Sequence, residues 1–76
     1  MTLAELRRAQ GLTQVQVADL MKIQQSNVSR IEQTPVQQLE LATIRRYLGA
    51  VNADLRLIAD FGGNRVELGI EAPTSD

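Results

Sequence analysis

The chain has 76 residues, enough for one small domain. A chain of this size buries only about 60% of its unfolded surface, so its core is thin. It has no cysteine and no histidine, which removes disulfides, the usual zinc sites and histidine-based catalysis. Its formal net charge is −1, no apolar run nears the roughly 20 residues that span a bilayer, and no basic-then-apolar signal segment opens it. A cytoplasmic protein with no membrane partner, no metal and no cofactor is the expectation.

Thr2-Leu-Ala-Glu5 has the pattern of a capping box, so a first helix is predicted from residue 3 to about residue 10. Leu3 and Leu6 give it one apolar stripe, and Gly11 is the expected left-handed stop. Thr13-Gln14-Val15-Gln16 starts a second helix with glutamine at the capping-box position. Val17, Ala18 and Met21 then face inward. Lys22 and Ile23 form a tight break. A third helix is predicted from about Gln25 to Glu32, burying Val28 and Ile31, and Pro35 prevents its continuation. Residues 33–41 read as a connector anchored by Val36, Leu39 and Leu41. A fourth helix from Ala42 to about Val51 turns Ile44, Tyr47, Leu48 and Val51 inward, with Asn52 as a left-handed cap.

The period then falls from 3.6 to 2. Leu55, Leu57, Ala59 and Phe61 alternate with Arg56, Ile58 and Asp60. Gly62-Gly63-Asn64 signals a turn, and Val66, Leu68 and Ile70 alternate again, which predicts a β-hairpin. The fold class is mainly α with a C-terminal β-hairpin. Residues 1–53 form the helical unit, 54–70 the hairpin of the same domain, and 71–76 a disordered tail.

The charge is unevenly placed. Residues 1–53 carry Arg7, Arg8, Lys22, Arg30, Arg45 and Arg46 against Glu5, Asp19, Glu32 and Glu40, and are mildly basic. Residues 54–76 carry Arg56 and Arg65 against Asp54, Asp60, Glu67, Glu71 and Asp76, and are acidic. Two helices around a tight break can set the second into the major groove of DNA. The side chains at the start of that helix are Gln25, Ser26 and Asn27, with Arg30 one turn on. Glutamine and asparagine can bond adenine twice, and arginine can do the same to guanine. Thr13, Gln14 and the free N–H groups at the start of the second helix suit a phosphate.

At this point the chain resembles a family. Leu12-Thr13-Gln14, Val17-Ala18, Met21, Ile23, Gln25-Ser26 and Val28-Ser29-Arg30-Ile31-Glu32 look like the Xre-type, Cro and lambda-repressor-like helix-turn-helix. The resemblance implies a domain of about four helices in which Gln14 holds a phosphate, Gln25, Ser26 and Arg30 lie over base edges, and Gln24 sits at the rim. The phosphate set is thus Thr13, Gln14, Lys22 and Gln24. The resemblance also implies a buried pair between Arg7 and Glu32. Two positions depart from the family pattern. Lys22 stands where glycine is usual, and a left-handed lysine there costs about 1–2 kcal/mol. Gln24 stands where serine, a better cap, is preferred. The junction from Leu41–Asn52 into Asp54–Phe61 is similar to antitoxins of the HigA and HipB type, which implies a homodimer, repression of the protein's own operon and a toxin partner.

The expected function is sequence-specific repression from an inverted-repeat operator in double-stranded DNA, with Leu55, Leu57, Ile58 and Phe61 at a dimer interface. Two alternatives stand beside it: an interaction adaptor on the same fold with little DNA affinity, and a phage-type repressor without a toxin. No nucleophile–base pair, phosphate loop or paired catalytic carboxylate is visible, so an enzyme is not expected. Blander readings also stand. Gln25, Ser26 and Asn27 fit a solvated face, Arg45-Arg46 either a phosphate clamp or a solvated pair, and Arg7 with Glu32 surface charges. The hairpin fits a simple core cover, and Val15 with Leu20 either a partner surface or scattered exposed apolar residues.

Overall fold

The computed structural model describes residues 1–69. Four helices run in sequence: α1 (Leu3–Ala9), α2 (Gln14–Met21), α3 (Gln25–Gln33) and α4 (Leu41–Ala50). A single 3₁₀ turn, Val36–Gln38, bridges α3 and α4, and the hairpin strands β1 (Leu57–Phe61) and β2 (Asn64–Leu68) follow. The expectations for Ile70 and for residues 71–76 lie outside the described residues. None of the described helices is long and apolar enough to cross a membrane.

Local chemistry accounts for where the helices start and stop. Thr2 and Thr13 both close complete capping boxes, with Glu5 and Gln16, each satisfying two otherwise orphaned N–H groups. Gln24 and Glu40 precede α3 and α4 without any side-chain cap bond. Gly11, Lys22 and Asn52 all take positive φ, and each ends its helix in the same way. The N–H of Leu12, Ile23 and Ala53 reaches back to the carbonyl of Arg7, Ala18 and Leu48. That is the six-to-one bond of a Schellman ending. Lys22, at φ 58 and ψ 45, therefore sits in the conformation for which glycine is preferred.

The core comprises Val17, Ala18 and Met21 of α2, Val28 and Ile31 of α3, and Ile44, Tyr47 and Leu48 of α4 with Val51. Leu3, Leu6, Leu12, Ile23, Leu39 and Leu55 pack around it. Of the three expected connector anchors, only Leu39 packs inward, while Val36 and Leu41 are exposed. Val36 opens the 3₁₀ turn. Leu41 opens α4 and its side chain, which in a helix tilts toward the N-terminus, runs past the edge of the core.

The hairpin is antiparallel and pairs Leu57 with Leu68, Ala59 with Val66 and Phe61 with Asn64. Gly62 and Gly63 supply two consecutive positive φ values, the requirement of a type I′ turn, so Asn64 belongs to β2 and not to the turn. Leu57, Ala59, Phe61, Val66 and Leu68 share one face, because side chains alternate along a strand. This face is not a simple core cover: Phe61 is 65% exposed, and Val66 and Leu68 are also exposed.

Candidate nucleic-acid interface

Four helices converge on one carboxylate. Arg7, from α1, donates through Nε to Glu32 Oε2 at 2.7 Å and through Nη2 to Oε1 at 3.2 Å. Gln14, from the first turn of α2, donates to Oε1 at 3.0 Å. Tyr47, from α4, donates its hydroxyl to Oε2 at 2.6 Å. Glu32, near the end of α3, thus accepts four bonds, which fills the lone pairs of a carboxylate. The Arg7 and Glu32 side chains are 9% and 5% exposed, so the charges are not surface ones. Arg7 also donates through Nη1 to the Leu12 carbonyl at 2.9 Å, tying the α1–α2 turn into the same cluster.

The electrostatics follow from this arrangement. Burial raises the Glu32 pKa, but the hydrogen bonds from Arg7, Tyr47 and Gln14 outweigh it and hold the carboxyl below its usual range. The bond to Glu32 raises the Arg7 pKa against the opposing effect of burial. Burial, then the adjacent Glu32 carboxylate, push the Tyr47 hydroxyl well above its ordinary value. All three groups therefore keep their neutral-pH ionisation states, with Arg7 and Glu32 charged and Tyr47 a donor.

From this anchor the polar chain leads outward. Gln14 is half-buried and its Oε1 accepts from Gln25 Nε2 at 3.3 Å. Gln24, Gln25, Ser26, Asn27 and Arg30 are all exposed. They make a polar surface along the first turns of α3, directly behind which Val28 and Ile31 enter the core. The Thr13 hydroxyl oxygen accepts from the Gln16 N–H at 3.1 Å, and a hydroxyl that accepts can also donate. Lys22 is exposed at the α2–α3 break.

Other expected site residues are separated. Leu57 and Phe61 share a strand face, whereas Ile58 lies on the opposite face beside Asp60, Arg65 and Glu67. Leu55 precedes β1 and packs toward the helical core. Arg46 is exposed, and its Nη2 donates to the Met21 carbonyl at 2.7 Å, capping the end of α2 just before Lys22. Two members of the Glu32 cluster escaped the sequence reading. Tyr47 appeared only as a core residue, although a buried tyrosine hydroxyl needs a partner. Gln14 appeared only as an outward-facing phosphate ligand.

The profile of the helix-turn-helix domain family matches residues 1–61, which takes in all four helices and β1. A curated protein of Mycobacterium tuberculosis named as antitoxin HigA3 is 43% identical over 67 residues, covering 87% of this chain. This chain spans only 62% of that relative's length. A solved structure described as induced DNA bending by unique dimerization of HigA antitoxin is 43% identical, with a TM-score of 0.79 over 88% of this chain and 90% of the other. Another, described as DNA-bound antitoxin HigA3, is 39% identical, with a TM-score of 0.86 over 96% and 95%. The family profile takes in all four helices, and the fold is shared over most of the length of both solved chains; on that ground this chain belongs to the helix-turn-helix domain family and is similar to the HigA antitoxins.

Proposed function

We propose that the chain is a dimeric, sequence-specific DNA-binding repressor, the antitoxin of a toxin–antitoxin pair, acting in the cytoplasm on its own operon and without enzymatic activity. The carrying observation is the exposed polar start of α3, mounted on a helix whose far end is locked to the other three helices through Glu32. A rigid mount matters because base reading requires side chains held in register. In this reading Gln25, Ser26, Asn27 and Arg30 meet base edges, while Thr13, Gln14, Lys22 and Gln24 meet phosphates. The relatives described as DNA-bound and as a HigA dimer support it.

Residues 1–53 act as the reading unit and 54–70 as the dimerisation element, with Leu57 and Phe61 at its centre and Leu55 and Ile58 at its margins. The apolar hairpin face supports this role, since a second copy is its natural cover. Two subunits also combine their phosphate contacts, which a mildly basic single unit needs. The operator is then an inverted repeat with half-sites about one DNA turn apart.

The test is fluorescence anisotropy on DNA from the protein's own promoter, over a range of salt and with single-base operator variants. Gln25→Ala and Arg30→Ala are expected to weaken specific binding by about 1–3 kcal/mol each and to relax base preference at their own positions. Binding that is absent, or insensitive to sequence and salt, would sink the repressor reading in favour of an adaptor.

A further inference from the structure

We propose that the groove between the C-terminal ends of α2 and α4 is the docking site for the toxin, and that it takes an apolar side chain of that partner flanked by carboxylates. This rests on the antitoxin function proposed above and names the surface and the partner chemistry that function uses.

The groove has a volume of about 610 Å³, in the range of clefts that enclose a ligand-sized group. Buried Met21 and half-buried Leu12 and Ala50 line it, so much of its lining is apolar. Leu20 stands beside them and is 59% exposed. Singly exposed apolar residues are ordinary, but this one borders a concave apolar surface, where a partner's side chain would bury it. Gly49 also lines the groove, from inside α4. Glycine weakens a helix relative to alanine, and a Cβ added at Gly49 would meet nothing within 4 Å. Packing within this chain therefore does not call for glycine there, whereas close approach of a partner to the helix backbone does.

Charge selects the partner's chemistry. Lys22 and Arg46 line the groove and no carboxylate does, and among the described residues neither cation forms an ion pair. Arg46 commits Nη2 to the Met21 carbonyl, which leaves most of its guanidinium N–H donors for a carboxylate. Lys22 holds its charge here from a left-handed backbone position that suits glycine better, and strain of that kind is retained at functional sites. Complementary charge across an interface fixes the partner and its register, so a surface with two cations beside apolar side chains fits carboxylates beside an apolar one. None of the four proposed base readers and no residue of the hairpin lines the groove. Lys22 alone is shared with the proposed phosphate set. DNA on the α3 face and a second copy on the hairpin face thus leave this groove to a third partner, which in an antitoxin is the toxin.

The experiment uses the full-length protein and, as probe, the purified product of the reading frame that adjoins its gene. Calorimetry measures the complex, and anisotropy on the promoter DNA serves as the control. Gly49→Leu fills the groove from a helix position with open space around it and favours the helix. Leu20→Ser removes the exposed apolar side chain at its edge. Each is expected to weaken the complex at least about tenfold, as truncating or blocking an interface anchor does, while DNA affinity stays within about twofold. Arg46→Gln is expected to weaken the complex and to lessen its salt dependence. Unchanged affinity for the probe in both Gly49→Leu and Leu20→Ser would overturn the groove as the docking site and leave the antitoxin reading intact. Sedimentation of Gly49→Leu as a monomer, where the wild type is a dimer, would assign the groove to a second copy and overturn the proposal. A wild type that forms no complex with the probe would overturn the antitoxin reading and this inference with it, while the anisotropy control decides DNA binding separately.

Discussion

Tyr47 and Glu32 lie 15 positions apart and meet at 2.6 Å, hydroxyl to carboxylate. The contact locks α4 onto the end of α3, at a carboxylate already held by an arginine from α1. Removing the carboxylate leaves Arg7 buried and uncompensated, so Glu32→Ala is expected to cost about 3–5 kcal/mol. Tyr47→Phe deletes one hydrogen bond to a charged group, and about 1.5–3 kcal/mol is expected. Urea melts of both variants check this. A loss below about 1 kcal/mol for Glu32→Ala would mean that the charges behave as surface ones.

Acid should weaken the fold through the same carboxylate. The folded-state pKa of Glu32 is depressed, so as the pH falls the unfolded chain takes up its proton first. The Glu32 contribution is full above the ordinary glutamate value of about 4.3. It is lost as the pH falls from there through the lower folded-state value. Glu5 and Glu67 are shifted in the same direction by Thr2 and Arg56 but are exposed, and salt screens the part due to charge. Stability measured against pH should therefore fall less steeply below about pH 4.5 in Glu32→Gln than in the wild type. Parallel acid limbs would contradict the assignment.

The phosphate role proposed for Lys22 sets stability against binding. Its left-handed backbone is strained for a residue with a Cβ, and Lys22→Gly is expected to raise stability by about 1 kcal/mol. Loss of one phosphate contact should at the same time reduce the salt slope of DNA binding by about 1. Thermal melts and salt titrations of the one variant read both effects. An unchanged salt slope would remove Lys22 from the phosphate set.

The hairpin face supplies the dimer prediction. Phe61→Arg places a charge on the exposed apolar face, at its turn end, while leaving the β1–β2 backbone pairing alone. It is expected to give a monomer with far weaker but still salt-sensitive DNA binding. Sedimentation at micromolar concentration is the check. A wild-type protein that sediments as a monomer there would refute the dimer.

Much of this protein is local and could be read directly along the chain. Thr2 with Glu5 and Thr13 with Gln16 act over three residues. Gly11 and Asn52 mark their helix ends because left-handed backbone suits glycine and asparagine. The Gly62-Gly63 turn fixes the strand register, since both residues take positive φ. The polar start of α3 and the apolar positions behind it follow from helical spacing alone.

The tertiary structure decided what separated side chains do. Arg7, Gln14 and Tyr47 stand 25, 18 and 15 positions from Glu32, and no local pattern states that one carboxylate receives all three. The Arg7–Glu32 pairing was implied by family resemblance, whereas the places of Gln14 and Tyr47 in the cluster came only from the packing of the helices. Arg46 on the Met21 carbonyl, and the outward positions of Val36 and Leu41, have the same origin. A period of two shows that a strand has an apolar face, but whether the helices cover that face depends on where the linker carries it. Here it is left open at Phe61, Val66 and Leu68. Capping and turn chemistry act within a few residues and are legible in order along a chain, whereas hydrogen bonds and burial between distant side chains exist only once the helices are placed.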